Sequence, residues 1–128
     1  MVNQRQAINS YDLDGVVSIG ITPRPEDIII TGRSYEEAPE TYAYLQARGI
    51  DNAVFFNPLP FDLKTRELSG RHKARVLNEL LECGVYIEKH FDDDEVQVAE
   101  IQRLVNIPVV QLVHNLSEKE NVRHKEVE

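Results

Sequence analysis

Short apolar runs alternate with helix-like segments along most of this chain, and this alternation limits the fold more than any other feature of the sequence. The runs with strand character are residues 7–11, 27–31, 52–56, 85–91 and 107–113. Helical segments are predicted at 38–48, at about 71–83 and across the apolar positions from Val96 to Leu104. Strands that alternate with helices are typical of a parallel sheet with crossover helices on both faces. The sequence therefore predicts an α/β fold, a doubly wound, Rossmann-like parallel sheet of about five strands.

Caps and turns set the predicted limits of these elements. Ser34, with Glu37 three residues later, has the capping-box spacing that begins a helix. Glycines follow the segments 38–48 and 71–83, as they often do at the carboxyl end of a helix. The stretch 61–70 has no clear period and is predicted to be irregular.

Composition narrows the class of protein. The chain has 128 residues, of which 41% are hydrophobic, enough for one domain with a buried core. We expect residues 1–116 to form that domain and the charged segment 117–128, which lacks apolar periodicity, to fray. No run approaches the roughly 20 apolar residues that span a bilayer, and residues 1–6 lack an apolar signal core. A cytoplasmic protein without a membrane partner is therefore expected.

Charge and cysteine content limit the functions further. The formal net charge is −8, with 22 acidic and 14 basic side chains, which argues against nonspecific binding of duplex nucleic acid. A bound Mg²⁺ and a few local basic residues can still hold one phosphate on an acidic protein. The single cysteine, Cys83, excludes an intramolecular disulfide and a cysteine-based zinc cluster. Its position beside Gly84, at a predicted helix end, favours packing over catalysis.

Two carboxylates separated by one residue occur in Asp12-Leu13-Asp14-Gly15, directly after the first predicted strand. A chain that leaves the strand after Asp12 can bring both carboxylates to one point, where they repel unless a divalent cation neutralises them or one holds a proton. A hard cation with oxygen ligands fits best, and Mg²⁺ is the usual choice in phosphate chemistry. The same tetrapeptide is also ordinary turn chemistry, because Asp and Gly both favour strand ends and tight turns.

Polar side chains also end strands that are remote in the sequence. Thr31 ends the second predicted strand, and Asp92 follows the fourth. The carboxyl ends of parallel strands share one edge of the sheet, where ligands bind, so we expect these residues to lie near Asp12. Each residue also has a structural interpretation. Thr31 can cap its strand, and residues 92–94 can cap a helix. Lys73, in the helix predicted at about 71–83, can be an exposed helix residue.

In order and placement, these residues resemble the motifs of the haloacid dehalogenase superfamily of phosphohydrolases, and the resemblance covers nearly all of residues 11–113. The Asp-x-Asp motif matches Asp12-Leu13-Asp14, and the Thr or Ser that ends an apolar strand matches Thr31. A lysine that opens a later helix matches Lys73, and the paired acids match Asp92-Asp93.

The resemblance implies a role for each of these residues. Asp12 would attack phosphorus, and Asp14 would protonate the leaving oxygen and then activate water. The transferring phosphoryl group would be held by Thr31, Gly32 and Lys73. The Mg²⁺ ion would be held by Asp12, the backbone carbonyl of Asp14, Asp92 and Asp93. Phosphoryl transfer requires charge neutralisation and in-line positioning, which such residues supply.

The chain leaves no room for a cap domain. Only residues 15–26 separate the first two motifs, and only residues 57–70 precede the lysine helix. Uncapped members of the superfamily commonly act on bulky substrates or use a partner subunit to cover the site. The resemblance therefore implies an open site, and a homo-oligomer that covers it is one arrangement to expect.

A narrower resemblance is to the 3′-phosphatase domain of polynucleotide kinases. It rests on Thr31-Gly32-Arg33-Ser34 before a tyrosine-containing helix, on His72-Lys73 and on Phe91-Asp92-Asp93. It implies that Arg33 is a second phosphate anchor, and the structural alternative for Arg33 is a surface ion pair. His72 and His90 fit no role in either comparison, and we interpret them as surface residues or as residues behind the site.

The predicted function is Mg²⁺-dependent hydrolysis of a phosphomonoester, with a polynucleotide 3′-phosphate as the preferred substrate. One alternative is a small-metabolite or nucleotide phosphatase. Another is a non-catalytic module of the same fold that binds phosphate and metal. Tyr35, Phe61 and Tyr11 lie near the predicted site and are candidates for stacking on a base, although core packing is expected for Tyr11.

Overall fold

The computed structural model describes residues 6–114 and confirms the predicted α/β fold. The strands are β1 (Ile8–Tyr11), β2 (Ile28–Ser34), β3 (Ala53–Asn57), β4 (Ile87–Asp92) and β5 (Val109–Gln111). The helices are α1 (Ala38–Gln46), α2 (Arg66–Glu82) and α3 (Glu95–Leu104). All strand pairs are parallel, and the sheet order is β3-β2-β1-β4-β5. Because the chain starts at the central strand and then winds outward in each direction, the sheet is doubly wound.

Side chains alternate along the strands and build a core on each face of the sheet. Ile28 and Ile30 of β2 pack with α2 and α3 on one face. Ile29, between them, packs with Leu45 of α1 on the other face. Three consecutive β-branched residues are what a strand buried on both faces requires. We call these surfaces of the sheet the α2–α3 face and the α1 face.

Helix α2 begins earlier than predicted, at Arg66 rather than near residue 71. Thr65 caps it, since its Oγ1 accepts a hydrogen bond of 3.1 Å from the backbone N–H of Leu68. The first turn of the helix has only one apolar residue, Leu68, so no apolar period marks it in the sequence. As a result, Lys73 lies about two turns inside α2 and does not open the helix.

The stretch 61–70 is therefore not irregular as predicted, because a short 3₁₀ turn at Phe61–Leu63 is followed by the start of α2. Gly70 lies inside α2. Its small size is required by packing between α2 and α3. A Cβ at Gly70 would lie 2.9 Å from Cβ of Glu100 and 3.0 Å from Cα of Gln97.

Strand β2 also extends beyond its predicted end. Its last residue, Ser34, pairs with Asn57 of β3, so Thr31 lies within the strand and not at its end. Strand β5 is shorter than the predicted run 107–113. The packing interpretation of Cys83 is wrong, because this residue caps α2 but is exposed.

The predicted capping box is present. Glu37 Oε2 accepts a hydrogen bond of 2.9 Å from the backbone N–H of Ser34, and a 3₁₀ turn leads into α1. Between β1 and β2, and between β3 and α2, the described chain carries only turns, in agreement with the predicted uncapped fold. Within residues 6–114 no helix is both long and apolar enough to cross a bilayer. The segment 117–128, predicted to fray, lies outside the described residues.

Candidate functional site

The carboxyl ends of β1 and β4 bring three acidic side chains together. Asp12 follows β1, Asp92 ends β4 and Asp93 comes next. Each offers a carboxylate oxygen, and these oxygens lie within 4.8 Å of one another. The three residues are 4%, 0% and 7% exposed, in that order. Ionised carboxylates this close and this well buried repel one another, so the cluster requires nearby positive charge or a bound proton.

Lys73 supplies part of that charge. Its Nζ donates hydrogen bonds to Asp12 Oδ1 at 2.8 Å and to Asp92 Oδ2 at 2.9 Å. Burial alone would lower the pKa of Lys73, but the two carboxylates raise it above its usual range, so the ammonium stays charged. With all groups ionised, three carboxylates and one ammonium carry a charge of −3 + 1 = −2. A divalent cation would neutralise this remainder.

The pKa values of the two carboxylates bound to Lys73, Asp12 and Asp92, are shifted in opposite directions. Burial, together with the charge of Asp92, raises the pKa of Asp12 well above its usual range even though Lys73 opposes the shift. Burial would also raise the pKa of Asp92, but Lys73 and His90 hold it below its usual range. Asp12 is therefore the less easily ionised of the two carboxylates, and a nearby cation would favour its charged form.

Asp92 has no lone pair left over for a further ligand. Its Oδ2 accepts from Lys73 and from His90 Nε2, the latter at 3.0 Å. Its Oδ1 accepts from the backbone N–H groups of Asp93 and Asp94 at 2.9 and 3.3 Å. A carboxylate has about four lone-pair sites, and four donors fill them here. Asp92 is thus suited to hold Lys73 in place.

Asp93 lies against a wide turn that follows Asp12. The backbone N–H of Val17 bonds to the carbonyl of Asp12 at 3.4 Å, five residues back. Within this turn Gly15 has a φ of +92°, and a Cβ at Gly15 would overlap the Asp93 carboxylate. His114 Nε2 lies 3.2 Å from Asp93 Oδ2 and 2.9 Å from the carbonyl oxygen of Gly15. The glycine after the two aspartates therefore makes space for an acid from another strand.

Asp14 is paired with Arg33. Arg33 Nε donates to Asp14 Oδ2 and Nη2 donates to Oδ1, both at 2.8 Å, while Nη1 donates to Thr41 Oγ1 at 3.0 Å. The two paired side chains are only 8% and 1% exposed, so the predicted surface ion pair of Arg33 is instead a buried one. The carboxylate of Asp14 does not belong to the cluster of Asp12, Asp92 and Asp93.

The predicted phosphate-binding segment lies in β2, beside β1. Thr31 is fully buried, and its Oγ1 accepts a hydrogen bond of 3.1 Å from the backbone N–H of Arg33, a local capping interaction. The Gly32 carbonyl accepts a hydrogen bond of 3.5 Å from Asn57 Nδ2. The phosphate contacts of Thr31, Gly32 and Arg33 stay predictions.

Asp94, the last acid of the run 92–94, caps a helix, which was the structural interpretation of this run. Asp94 caps α3, since its Oδ1 accepts a hydrogen bond of 2.9 Å from the backbone N–H of Val96. It also accepts from Arg66 Nη2 at 2.8 Å, which ties the start of α2 to the start of α3. Of the acids 92–94, then, Asp92 and Asp93 enter the cluster and Asp94 caps the helix.

The aromatic candidates divide into core and surface. Tyr11 is 6% exposed and stacks on Phe91 with ring centroids 5.0 Å apart, so its expected core role is confirmed. Tyr35 and Phe61 are 62% and 42% exposed. These two side chains stay available for contact with a ligand or partner.

Of the two interpretations of His72 and His90, the surface position is wrong for both, and His90 lies behind the site as the other interpretation stated. Both are buried, so neither is a surface residue. His90 Nε2 bonds to Asp92, and its Nδ1 lies 2.7 Å from Ser10 Oγ. The signal was present in the spacing, because Ser10 and His90 each precede a site aspartate by two residues. Burial, with the charges of Lys73 and Arg75, lowers the pKa of His72 to about 4.

No protein-family model, no curated protein and no solved structure matches this chain. A function for this chain therefore rests on the side chains at the carboxyl edge of the sheet.

Proposed function

We propose that this protein is a Mg²⁺-dependent phosphomonoesterase that forms a phosphoaspartate on Asp12. The observation that carries the proposal is the buried cluster of Asp12, Asp92 and Asp93 with the Lys73 ammonium bonded to two of its members. Phosphoryl transfer depends on charge neutralisation and on in-line positioning of the reacting oxygens. A carboxylate nucleophile beside a fixed cation meets both requirements.

The donor set fits Mg²⁺, which prefers hard oxygen ligands and is commonly held by only one or two protein carboxylates. Asp12 and Asp93 would hold the ion directly, because the lone pairs of Asp92 are already filled. The gap left by the missing Cβ of Gly15 gives the Asp93 carboxylate its place. When bound, the ion would neutralise phosphate oxygens and so stabilise charge in the transition state.

The side chains divide the reaction into two steps. Lys73 holds Asp12 Oδ1, which leaves Oδ2 to attack phosphorus. The new Oδ2–P bond forms as the ester P–O bond breaks, and the leaving oxygen takes a proton from Asp14. Asp14 then removes a proton from water as the water oxygen attacks phosphorus, which releases phosphate and restores Asp12. Arg33 binds both oxygens of Asp14, so one oxygen must be released and take up a proton from water before Asp14 can donate it.

Hydrolysis of p-nitrophenyl phosphate with Mg²⁺ tests the proposal. Asp12→Asn removes the covalent route and should lower kcat/KM by at least ~10³-fold, or about 4 kcal/mol of barrier. Asp51→Asn is the matched control, because Asp51 is exposed and lies on the loop after α1. If Asp12→Asn and Asp51→Asn are equally active, Asp12 is not the nucleophile.

The assignment of the metal ligands has its own test. Asp93→Asn should raise the Mg²⁺ concentration needed for half-maximal activity, because it removes a ligand. Asp92→Asn should lower kcat at saturating Mg²⁺, because it loosens Lys73. If Asp92→Asn instead changes only the Mg²⁺ requirement, Asp92 is a direct ligand. Mg²⁺ binding without hydrolysis of any phosphomonoester in a broad panel would favour a non-catalytic binding module.

Within this proposal, the preferred substrate is a phosphomonoester at a nucleic-acid end. Tyr35 and Phe61 are exposed aromatic side chains suited to stack on a terminal base. The net charge of −8 limits the contact to a few terminal nucleotides. A panel of 3′- and 5′-phosphorylated oligonucleotides, free nucleotides and sugar phosphates decides the class. If kcat/KM for the 3′-phosphorylated oligonucleotide does not exceed that for the free 3′-nucleotide, the small-metabolite alternative replaces this one.

A further inference from the structure

A second polar layer lies behind the acidic cluster, on the α2–α3 face of the sheet. Ser10 precedes Asp12 on β1 by two residues, and His90 precedes Asp92 on β4 by two, so each pair shares a face of the sheet. Ser10 and His90 are register partners in the parallel ladder. Both are 0% exposed. One layer further from the edge, the same face is apolar and includes Ile87.

The hydrogen bonds in this layer run in one direction. An ionised carboxylate can only accept, so the bond of 3.0 Å between His90 Nε2 and Asp92 Oδ2 places the imidazole hydrogen on Nε2. In a neutral imidazole with its hydrogen on Nε2, Nδ1 carries no hydrogen and can only accept. Nδ1 then accepts from the Ser10 hydroxyl at 2.7 Å.

The chain of bonds continues into the site. Asp92 Oδ2, which accepts from His90, also accepts from Lys73 Nζ, and Lys73 in turn bonds to Asp12. Buried polar side chains in central strands are costly unless they are hydrogen-bonded, and apolar residues would fill the same space without that cost. Here each polar group is bonded to the next, from Ser10 through to Asp12.

We propose that His90, itself held by Ser10, is a positioning residue that fixes the Asp92 carboxylate and thereby holds Lys73 against Asp12. His90 contacts neither the substrate nor the metal in this scheme. The effect of His90 on catalysis rests on the proposed phosphatase function. The series of hydrogen bonds from Ser10 to Asp12 does not depend on that function. Outer partners of this kind typically change activity or metal affinity by about 10- to 100-fold when they are removed.

The first experiment needs no activity. Long-range ¹H–¹⁵N NMR of the wild-type protein, labelled on histidine, reports which ring nitrogen carries the hydrogen. We expect His90 to be the neutral form with its hydrogen on Nε2 and with Nδ1 as an acceptor. A neutral ring with its hydrogen on Nδ1 would overturn the inference, because Nε2 could then not donate to Asp92.

The second experiment compares His90→Leu with His90→Gln, whose amide nitrogen can still donate to Asp92. His90→Leu should lower kcat/KM for p-nitrophenyl phosphate by about 10- to 100-fold, and His90→Gln should recover most of the loss. His72→Leu is the matched control, since it also removes a buried histidine, and it should change the unfolding temperature without this loss of rate. Ser10→Ala should fall between wild type and His90→Leu.

The outcomes separate the two claims. If the wild type is active and His90→Leu keeps its kcat/KM, or if His90→Gln fails to recover the rate in a folded protein, the positioning role is wrong while the phosphatase function stands. If the wild type hydrolyses no phosphomonoester, the proposed function fails, and the NMR measurement still decides whether the bond chain exists.

Discussion

Gly15 offers a sharp test of how the turn after Asp12 and the acid Asp93 fit together. The substitution Gly15→Ala adds one methyl group at a position with two constraints. The backbone φ of Gly15 is +92°, a value that residues other than glycine rarely adopt. The new Cβ would also overlap the carboxylate of Asp93. The chain also contains a matched control, Gly84, which has a φ of +91° and nothing within 4 Å of an added Cβ.

The two glycines allow the two costs to be separated. Forcing an alanine into the left-handed region costs about 1–2 kcal/mol at either position. At Gly15 the overlap forces Asp93 to move, and overpacking of a filled site costs a further 1–3 kcal/mol or so. We therefore expect Gly15→Ala to lower the free energy of unfolding by about 2–5 kcal/mol and Gly84→Ala by about 1–2 kcal/mol.

Urea unfolding of the two variants measures these costs, and calorimetric titration with Mg²⁺ measures the effect on the cluster. Gly15→Ala should also weaken Mg²⁺ binding, whereas Gly84→Ala should not. In an Asp93→Ala background the extra cost of Gly15→Ala should disappear, because the carboxylate it displaces is gone. Equal destabilisation by Gly15→Ala and Gly84→Ala, with unchanged Mg²⁺ affinity, would refute the fit between Gly15 and Asp93.

Three further predictions follow from individual side chains. The pKa of His72 is lowered to about 4, so the unfolded chain binds a proton more readily between pH 6.5 and 4. Stability should therefore fall by about 2 kcal/mol from pH 7 to pH 5, and His72→Gln should flatten that part of the profile in urea titrations. Asp27 has a fully buried carboxylate that accepts from the Tyr11 hydroxyl and from Arg24. Asp27→Asn should cost about 2–3 kcal/mol at pH 7. Burial alone would raise the pKa of Asp27, but the bonds from Arg24 hold it below its usual range, so the variant should lack the wild-type loss of stability below about pH 4. Asp14→Asn should slow hydrolysis of an alkyl phosphate far more than that of p-nitrophenyl phosphate, and equal losses would show that Asp14 does not protonate the leaving group.

The parts of the fold that local sequence determines could be predicted. Three successive isoleucines at 28–30 favour a strand buried on both faces. In the structure Ile28 and Ile30 pack on one face of the sheet and Ile29 packs on the other. The rule that parallel strands share a carboxyl edge was enough to bring Asp12 together with Asp92 and Asp93. The start of α2 could not be predicted, because its first turn has only one apolar residue, Leu68, and Gly70 is required by contact with α3 rather than by local structure.

The interactions that the sequence did not reveal are pairings between distant residues. Arg33 could bind phosphate or an acid, and only the folded chain shows it bonded to Asp14. The equal spacing of Ser10 and His90 from the site aspartates is visible in the sequence, but the bond between them also depends on the register that β1 and β4 adopt in the folded sheet.

Chemical trapping of the proposed intermediate tests the central claim most directly. The protein is mixed with substrate and Mg²⁺, quenched in acid during turnover and treated with borohydride, which reduces an acyl phosphate to an alcohol. Peptide mass spectrometry should then find homoserine in place of Asp12 only when both substrate and Mg²⁺ were present, with Asp14, Asp92 and Asp93 unchanged. Turnover without modification of Asp12, or homoserine at another of these acids, would contradict the account.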